Sequence, residues 1–152
     1  FSTSRFHESE KYHFRALSIR ERLATNNPER YESDLAMTLN NLAYLYTLNK
    51  KYNKAEEYYL SSLSIYKRMV VNHPNVYGLD VAQILVDFTL LYVLMKRFKK
   101  AKKYSLRALP FIEYMASTNY TVYAEILLTA KTLHQTILEE TNKDIVNCIF
   151  DR

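Results

Sequence analysis

Apolar residues recur every three or four positions along most of the chain, which is the period of an amphipathic helix. Proline cannot continue a helix, so the first and third apolar segments are interpreted as ending just before Pro28 and Pro74. Ser33 is a candidate N-cap for the second segment, and Gly78 is placed in the linker before the fourth. The predicted helices span 8–26, 34–49, 53–71, 80–96, 98–117 and 122–140.

The chain resembles itself after a shift of 46 residues, which takes Tyr12 to Tyr58 and Tyr58 to Tyr104. The same shift aligns residues that are always small. Small residues let two helix backbones approach closely, and a hairpin that cannot cover its own apolar face covers it by stacking on the next. The alternative is a compact bundle whose helices are similar by accident. The small-residue columns are Ser9, Ala55 and Ala101, and then Ala16, Ser62 and Ala108.

Very short connections such as Lys50-Lys51 force consecutive helices to be antiparallel. We therefore expect an all-α fold of stacked antiparallel helical hairpins, about six helices in one domain, 1–152. Its parts are the second half of a repeat (6–26), two repeats (34–71 and 80–117) and a degenerate or capping repeat (122–152). The last helix fits two registers, with Ala130 or Lys131 in the small-residue position, and residues 145–150 are able to begin a further helix. Pro110 is expected to bend the fifth helix.

Composition removes several classes of site. The single glycine excludes phosphate-binding loops and dinucleotide fingerprints, which need several glycines at set spacings. The lone Cys148 can form neither an internal disulfide nor a multi-thiolate zinc site. No run of 18 uninterrupted apolar residues is present, so we expect no membrane span. The net charge of +5 slightly favours acidic partners, and the first residue, Phe1, indicates a fragment or a processed product.

The run LAMTLNNLAYLYTLNKKYNKAEEYYLSSLSIYKRM, residues 35–69, resembles a tetratricopeptide repeat, particularly the long version found in kinesin light chains. The family pattern wants a leucine, a small residue and a tyrosine in the first helix, then an alanine–aromatic–alanine series in the second. Here the matching residues are Leu39, Leu42, Ala43, Tyr46, Tyr52, Ala55, Tyr59 and Ser62. The next unit matches with Leu85, Phe88, Thr89, Tyr92, Phe98, Ala101 and Ala108, where Thr89 is a looser fit.

The resemblance implies a right-handed α-solenoid in which the first helix of each hairpin lines a concave groove that binds peptides. Asn41 takes the position from which family members often hydrogen-bond a ligand's backbone, and an asparagine amide offers a donor and an acceptor together. Tyr44 and Leu48 offer area for an anchor side chain; the alternatives are a solvated asparagine and ordinary inter-helix packing. The groove positions carried over are Met37, Asn40, Asn41, Tyr44, Thr47, Leu48, Gln83, Val86, Asp87, Leu90 and Val93.

The predicted groove lacks the cationic residues by which one group of family members, the co-chaperones, binds its ligands. Co-chaperones use lysines and arginines to hold a C-terminal carboxylate, whereas the corresponding positions here are Asn40, Asn41, Val86 and Asp87, so no carboxylate clamp is expected. The densest positive charge is interpreted as the solvated outer face of a helix start, with phosphate or anionic-lipid binding as the alternative. This basic patch comprises Lys96, Arg97, Lys99, Lys100, Lys102 and Lys103.

No catalytic or metal-ligating constellation is apparent, since the four histidines show no ligand spacing and no cofactor motif is present. We therefore expect no enzyme, no cofactor and no metal, but a protein–protein interaction scaffold that binds a peptide or protein segment in the groove. The alternative is a peptide-sensing regulatory portion of a larger signalling or transcription protein. We expect a protein partner, no nucleic acid, a cytoplasmic location, and possible self-association through an open N-terminal end around Tyr12 and Leu17.

Overall fold

The structure, a computed structural model, describes residues 3–150 and, within them, the side chains of residues 4–143. These residues form six α-helices joined by links of one or three residues, and they contain no strand. The all-α, helical-repeat fold class predicted from the sequence is confirmed. Cys148 lies outside the residues whose side chains are described. The helices are α1 (Thr3–Asn26), α2 (Pro28–Leu48), α3 (Tyr52–Asn72), α4 (Pro74–Leu94), α5 (Phe98–Thr118) and α6 (Tyr120–Phe150).

The first helix of each hairpin begins earlier than the sequence predicted. Pro28 opens α2 because the first position of a helix needs no N–H donor, and the fixed φ of proline suits it. Asn27 caps this helix, since its side-chain oxygen accepts from the Arg30 N–H at 3.4 Å. Ser33 lies inside α2, so the prediction that it is the N-cap was wrong. Likewise α4 begins at Pro74 rather than at residue 80.

Gly78 was predicted to lie in a linker, but the structure places it as a buried residue within α4. A Cβ atom at this position would collide with the Met115 side chain and lie 2.7 Å from the Tyr123 hydroxyl. Both of these side chains are themselves buried. Gly78 therefore leaves space for the Met115 and Tyr123 side chains, which a Cβ at this position would force to shift, and it does not serve a turn.

Pro110 lies inside α5, which continues without interruption to Thr118. The missing proline N–H removes the hydrogen bond to Leu106, as the sequence indicated, but the helix continues beyond that lost bond. The Pro110 ring is exposed. The expected bend stays a prediction.

The last helix, α6, is one continuous helix up to Phe150, so the further helix proposed to begin near residue 145 was wrong. Helices α2, α4 and α6 begin at Pro28, Pro74 and Tyr120, which keeps the 46-residue spacing. By that spacing Gln135 takes the position of Ala43 and Thr89, but Gln135 is exposed whereas those two residues are buried, so the register of α6 stays a prediction. Ala130 is buried close to Ser105 and Ala108, whereas Lys131 is exposed.

The chain divides into two compact units, the first ending at Tyr77 and the second beginning at Gly78. In the first unit α2 packs against both α1 and α3. The Tyr46 hydroxyl, near the end of α2, donates to the Glu10 carboxylate at 2.6 Å, near the start of α1. On the other side of α2, the Ser62 hydroxyl donates to the Ala36 carbonyl at 2.7 Å. These pairings show that the three helices run antiparallel, as predicted.

In the second unit α5 packs against α6, and its Tyr104 contacts Phe88 of α4. The Tyr104 ring stacks on Tyr92 at 5.3 Å and meets the edge of Phe88 at 4.5 Å. The Ser105 hydroxyl and His134 Nδ1 are 2.8 Å apart, which joins α5 to α6. His134 is thus a half-buried histidine with a structural hydrogen bond.

Helix α1 exposes only part of the apolar surface expected around Tyr12 and Leu17. Tyr12 is 59% exposed and Ile19 is 51% exposed, whereas Leu17 is buried. The expectation was therefore correct for Tyr12 and wrong for Leu17. Self-association through the N-terminal end stays a prediction.

The two three-residue turns, after α2 and after α4, have the same conformation 46 residues apart. Lys50 and Lys96 have φ values of 58° and 55°, in the left-handed region that glycine usually occupies at helix ends. In each turn the next N–H, of Lys51 or Arg97, bonds to the carbonyl five residues earlier, at 2.9 and 2.8 Å. A lysine in this conformation costs about 1–2 kcal/mol relative to the right-handed region.

Lys50→Gly is therefore expected to raise the free energy of unfolding by about 0.5–1 kcal/mol, because glycine adopts a positive φ without a Cβ clash. Urea denaturation followed by circular dichroism measures the change. Lys67→Gly, on the exposed side of α3, is the matched control and should destabilise by about 1 kcal/mol. Equal destabilisation by both variants would contradict the left-handed cap.

Helix α4 is long and apolar enough, by length and composition, to cross a membrane. The sequence criterion did not detect it, because polar residues interrupt its apolar run. However, 56% of its most apolar window is buried inside the protein. The central helix of a packed domain has the same property, so this helix is weak evidence for a membrane span.

Candidate functional site

One side of α2 is left exposed by the packing of α1 and α3 on its other sides. Met37, Asn41, Tyr44 and Leu48 lie on it at spacings of four, three and four residues, so they form one strip along the helix. Met37 is 42% exposed, Tyr44 54% and Leu48 44%. We call these four residues the α2 strip.

Two polar residues border the α2 strip, and they differ in how their hydrogen-bonding groups are satisfied. The Thr47 hydroxyl donates to the Ala43 carbonyl of its own helix at 2.9 Å. The carboxamide oxygen of Asn40, in contrast, is enclosed and has no hydrogen-bond partner within the part of the chain that the structure describes. An enclosed acceptor without a donor costs about 1–3 kcal/mol, so Asn40 is the polar group here that a donor would satisfy.

In the second unit, a cleft of about 490 Å³ lies between α4 and α6. Its size falls in the range of small ligand-binding clefts, and it is open to solvent along one side. The apolar part of its lining is Leu79, Val86, Val122 and Ile126. The polar part is Asp80, Gln83, Glu125 and Thr129, so the cleft has carboxylates but no lysine or arginine in its lining.

Burial alters the acidity of the carboxyl groups on α4. Desolvation raises the pKa of Asp80 above its usual range. Desolvation also raises the pKa of Asp87 to about 6, against the opposing effect of its hydrogen bond from Gln83 Nε2, which is 2.9 Å long. A carboxylate that has lost water without gaining a cation is destabilised in its charged form, so this side of α4 favours positive charge.

Comparison with known protein families matches residues 35–75 to the tetratricopeptide repeat. The chain contains a tetratricopeptide repeat. The matched residues include the whole α2 strip and all of α3, so the exposed strip belongs to the first helix of the repeat hairpin. No curated protein matches the chain significantly.

Tetratricopeptide repeats are in general protein–protein interaction modules and are typically not catalytic. In the described residues, no group of three or more histidine, cysteine, aspartate or glutamate side chains could hold a metal ion. The nearest pairing is His7 Nδ1 with the Glu10 carboxylate at 3.5 Å, on the exposed side of α1. The Ser105 hydroxyl lies 2.8 Å from His134 Nδ1, but Ser105 is buried at 3% exposure, so this serine–histidine pair joins α5 to α6 and does not face solvent.

The structure distributes the predicted groove residues of α4 over different environments. Gln83 and Leu90 are exposed and Val93 is half-buried, while Val86 is buried at 3% exposure. Val86 therefore forms part of the cleft wall rather than an accessible contact, and Asp87 reaches the cleft only through Gln83.

The sequence analysis did not predict six residues that line the cleft, which are Leu79, Asp80, Val122, Glu125, Ile126 and Thr129. The start of α4 was placed at residue 80, and α6 was treated as a degenerate cap without groove positions. The 46-residue shift was the available signal, because it takes Leu79 to Glu125 and Gln83 to Thr129. These pairs occupy the same positions in successive first helices of the repeat.

The basic patch lies at the turn before α5 and along the first two turns of that helix. Lys96 occupies the left-handed cap position, and Lys100 Nζ lies 5.2 Å from the centre of the Tyr92 ring. Lys54 Nζ lies 5.3 Å from the Tyr46 ring in the equivalent place of the tetratricopeptide repeat, so this cation–π contact recurs with the repeat. The patch therefore has a structural contact at Lys100; that its remaining cations are only solvated stays a prediction.

Proposed function

We propose that the chain is a protein-interaction scaffold that holds a peptide or protein segment on the α2 strip of its tetratricopeptide repeat. The observation that carries this proposal is the alignment of Met37, Tyr44 and Leu48, all exposed, on the side of α2 that neither α1 nor α3 covers. Monomeric proteins rarely leave several large apolar side chains in one contiguous exposed patch unless a partner covers them.

The polar residues of the strip fit an extended backbone. Asn41 is exposed between two apolar neighbours, Met37 and Tyr44, so its amide can pair with one peptide unit while they contact side chains. Asn40 adds an enclosed acceptor beside it. The exposed donor and acceptor of Asn41 make a peptide a better occupant of the α2 strip than an apolar small molecule.

The double variant Asn41→Ala, Tyr44→Ala is expected to weaken binding of a strip-directed peptide about tenfold, or about 1.4 kcal/mol. Peptides are first selected by phage display of random sequences on the unmodified chain. Their affinities for each variant are then measured by fluorescence polarisation, with circular dichroism to confirm that every variant is equally helical.

The matched control is Leu60→Ala, Ser64→Ala, which removes an apolar and a polar side chain from the exposed side of α3 in the same repeat. It should leave the affinity of the selected peptides unchanged. If the selected peptides bind both double variants as they bind the unmodified chain, the α2 strip is not the binding surface and the proposal fails.

A further inference from the structure

The cleft between α4 and α6 has a mixed lining that restricts what it can hold. Four apolar side chains form its walls, and the carboxyl groups of Asp80 and Glu125 stand among them. Asp80 and Glu125 are exposed at the residue level, so a ligand can reach both. An apolar ligand would bury the carboxylates without a partner, and an acidic one would add like charge, both of which are unfavourable.

Lysine and arginine side chains match this lining in shape and in charge. Each has an apolar stem of three or four methylene groups that packs on apolar surface, and a cationic end that stays near polar groups. The walls of the cleft offer Val86, Val122 and Ile126 for the stems. A volume of about 490 Å³ accommodates a few such side chains, not a whole folded domain.

The local charge of the cleft contrasts with the charge of the chain. The whole sequence carries a formal net charge of +5, whereas the cleft lining contains two carboxyl groups and no lysine or arginine. Asp87 adds a third acidic side chain about two turns after Asp80 and one turn after Gln83, connected to the cleft through its hydrogen bond from Gln83. A cation would relieve the unfavourable desolvation of the carboxylates on this side of α4.

We propose that the α4–α6 cleft is a second contact site of the scaffold and takes a lysine- or arginine-bearing segment of the protein partner. This inference rests on the proposed function, because it identifies the chemistry of the partner that the scaffold holds. The cleft differs from the α2 strip, which is proposed to bind a peptide backbone and apolar anchor side chains. Charge complementarity in a partly apolar cleft is what selects the segment.

The test uses two fluorescent octapeptides, one alternating alanine with lysine and the other alternating alanine with glutamate. The lysine peptide is expected to bind the unmodified chain at 50 mM NaCl and to bind more weakly at 300 mM, because salt screens exposed charge pairs. The glutamate peptide should show no binding. Fluorescence polarisation measures both, and sedimentation velocity measures the oligomeric state of the chain.

The variant Asp80→Asn, Glu125→Gln keeps the shape of the cleft and removes its charge, and it should weaken binding of the lysine peptide about fivefold to tenfold. The control Glu113→Gln, Glu139→Gln removes the same formal charge elsewhere in the second unit and should leave the affinity unchanged. The control separates a local cleft from a general response to net charge.

Three results would overturn the inference. They are unchanged lysine-peptide affinity after Asp80→Asn, Glu125→Gln, equal affinity for the glutamate peptide, and a dimer of the chain that dissociates when the cleft is neutralised. The third result would make a second copy of the chain the occupant. If phage-selected peptides still bind through Tyr44 while the lysine peptide does not bind, only this inference fails; if neither binds, the proposed function fails with it.

Discussion

Replacing Tyr46 by alanine is expected to lower the free energy of unfolding by about 3–5 kcal/mol, the usual cost of removing a buried aromatic ring. Tyr46 is fully buried, its ring stacks on Tyr58 at 5.5 Å, and Phe6 meets it edge-on at 6.0 Å. It thus joins all three helices of the first unit. Chemical denaturation followed by circular dichroism measures the loss.

Tyr44→Ala is the matched control, since Tyr44 lies two residues earlier on the same helix but is 54% exposed. It should change the free energy of unfolding by no more than about 0.5 kcal/mol. If both variants lower the free energy of unfolding by a similar amount, Tyr46 is not the core residue and Tyr44 not the surface residue that their exposures indicate.

Tyr46→Phe separates the hydroxyl from the ring and should cost about 1 kcal/mol at neutral pH. The hydrogen bond from Tyr46 is the main reason that the pKa of Glu10 lies below its usual range, with nearby Lys51 and His7 acting in the same direction. Because the folded pKa is lowered, this stabilisation is present above the usual pKa of glutamate and is lost as pH falls through the folded value. The difference between Tyr46→Phe and the unmodified chain should therefore shrink below about pH 4.

Tyr46 also shows how far the sequence alone could predict the fold. The 46-residue shift aligns Tyr46 with Tyr92 and Ala55 with Ala101. These pairs could be recognised in the sequence because the same packing position recurs every 46 residues. All four are buried, as such columns require. A position that repeats in sequence repeats its surroundings, so periodicity was sufficient for the helices, their antiparallel order and much of the core.

The helix boundaries were harder, because one residue type has opposite effects at the two ends of a helix. Pro28 and Pro74 were interpreted as ending α1 and α3. Each proline is in fact the first residue of the next helix, which follows after a link of one residue. Nothing in local apolar spacing distinguishes a long link from a polar first helical turn. Gly78 was misplaced in the linker for the same reason, and its contacts with Met115 and Tyr123 depend on packing that no local pattern shows.

The candidate sites divide in a similar way. The α2 strip could be predicted, since the family resemblance carried Met37, Asn41, Tyr44 and Leu48 over residue by residue. The cleft could not, because its lining depends on which side chains of α6 face α4. Helix α6 leaves Lys131 and Leu128 exposed, so its apolar pattern did not reveal a register.

Asp87→Asn is expected to raise the free energy of unfolding at pH 7.5 by about 2 kcal/mol. Burial raises the pKa of Asp87 from 3.8 to about 6, so at neutral pH the folded chain holds a carboxylate that would be more stable in water. This difference corresponds to about 3 kcal/mol, and partial exposure of the side chain reduces the expected effect to about 2 kcal/mol. Asparagine keeps an oxygen that can accept the hydrogen bond from Gln83.

The pH dependence gives the sharper test of this prediction. With its raised folded pKa, Asp87 binds a proton more readily in the folded than in the unfolded chain, so the unmodified chain gains stability as pH falls from about 6 to about 4. The advantage of Asp87→Asn should therefore be full above pH 7 and absent near pH 4. Glu57→Gln, on the exposed side of α3, is the control and should change the stability by no more than about 0.5 kcal/mol at pH 7.5.

A destabilised Asp87→Asn chain at pH 7.5 would contradict the prediction and show that the carboxylate has a favourable partner within the fold. A stabilised chain would mean that the native protein retains a charge that weakens it. Proteins keep such residues where function needs them, and a carboxylate beside the α4–α6 cleft is suited to a cationic segment. Increased stability together with weaker binding of the lysine peptide would then connect the raised pKa of Asp87 to the proposed second contact site.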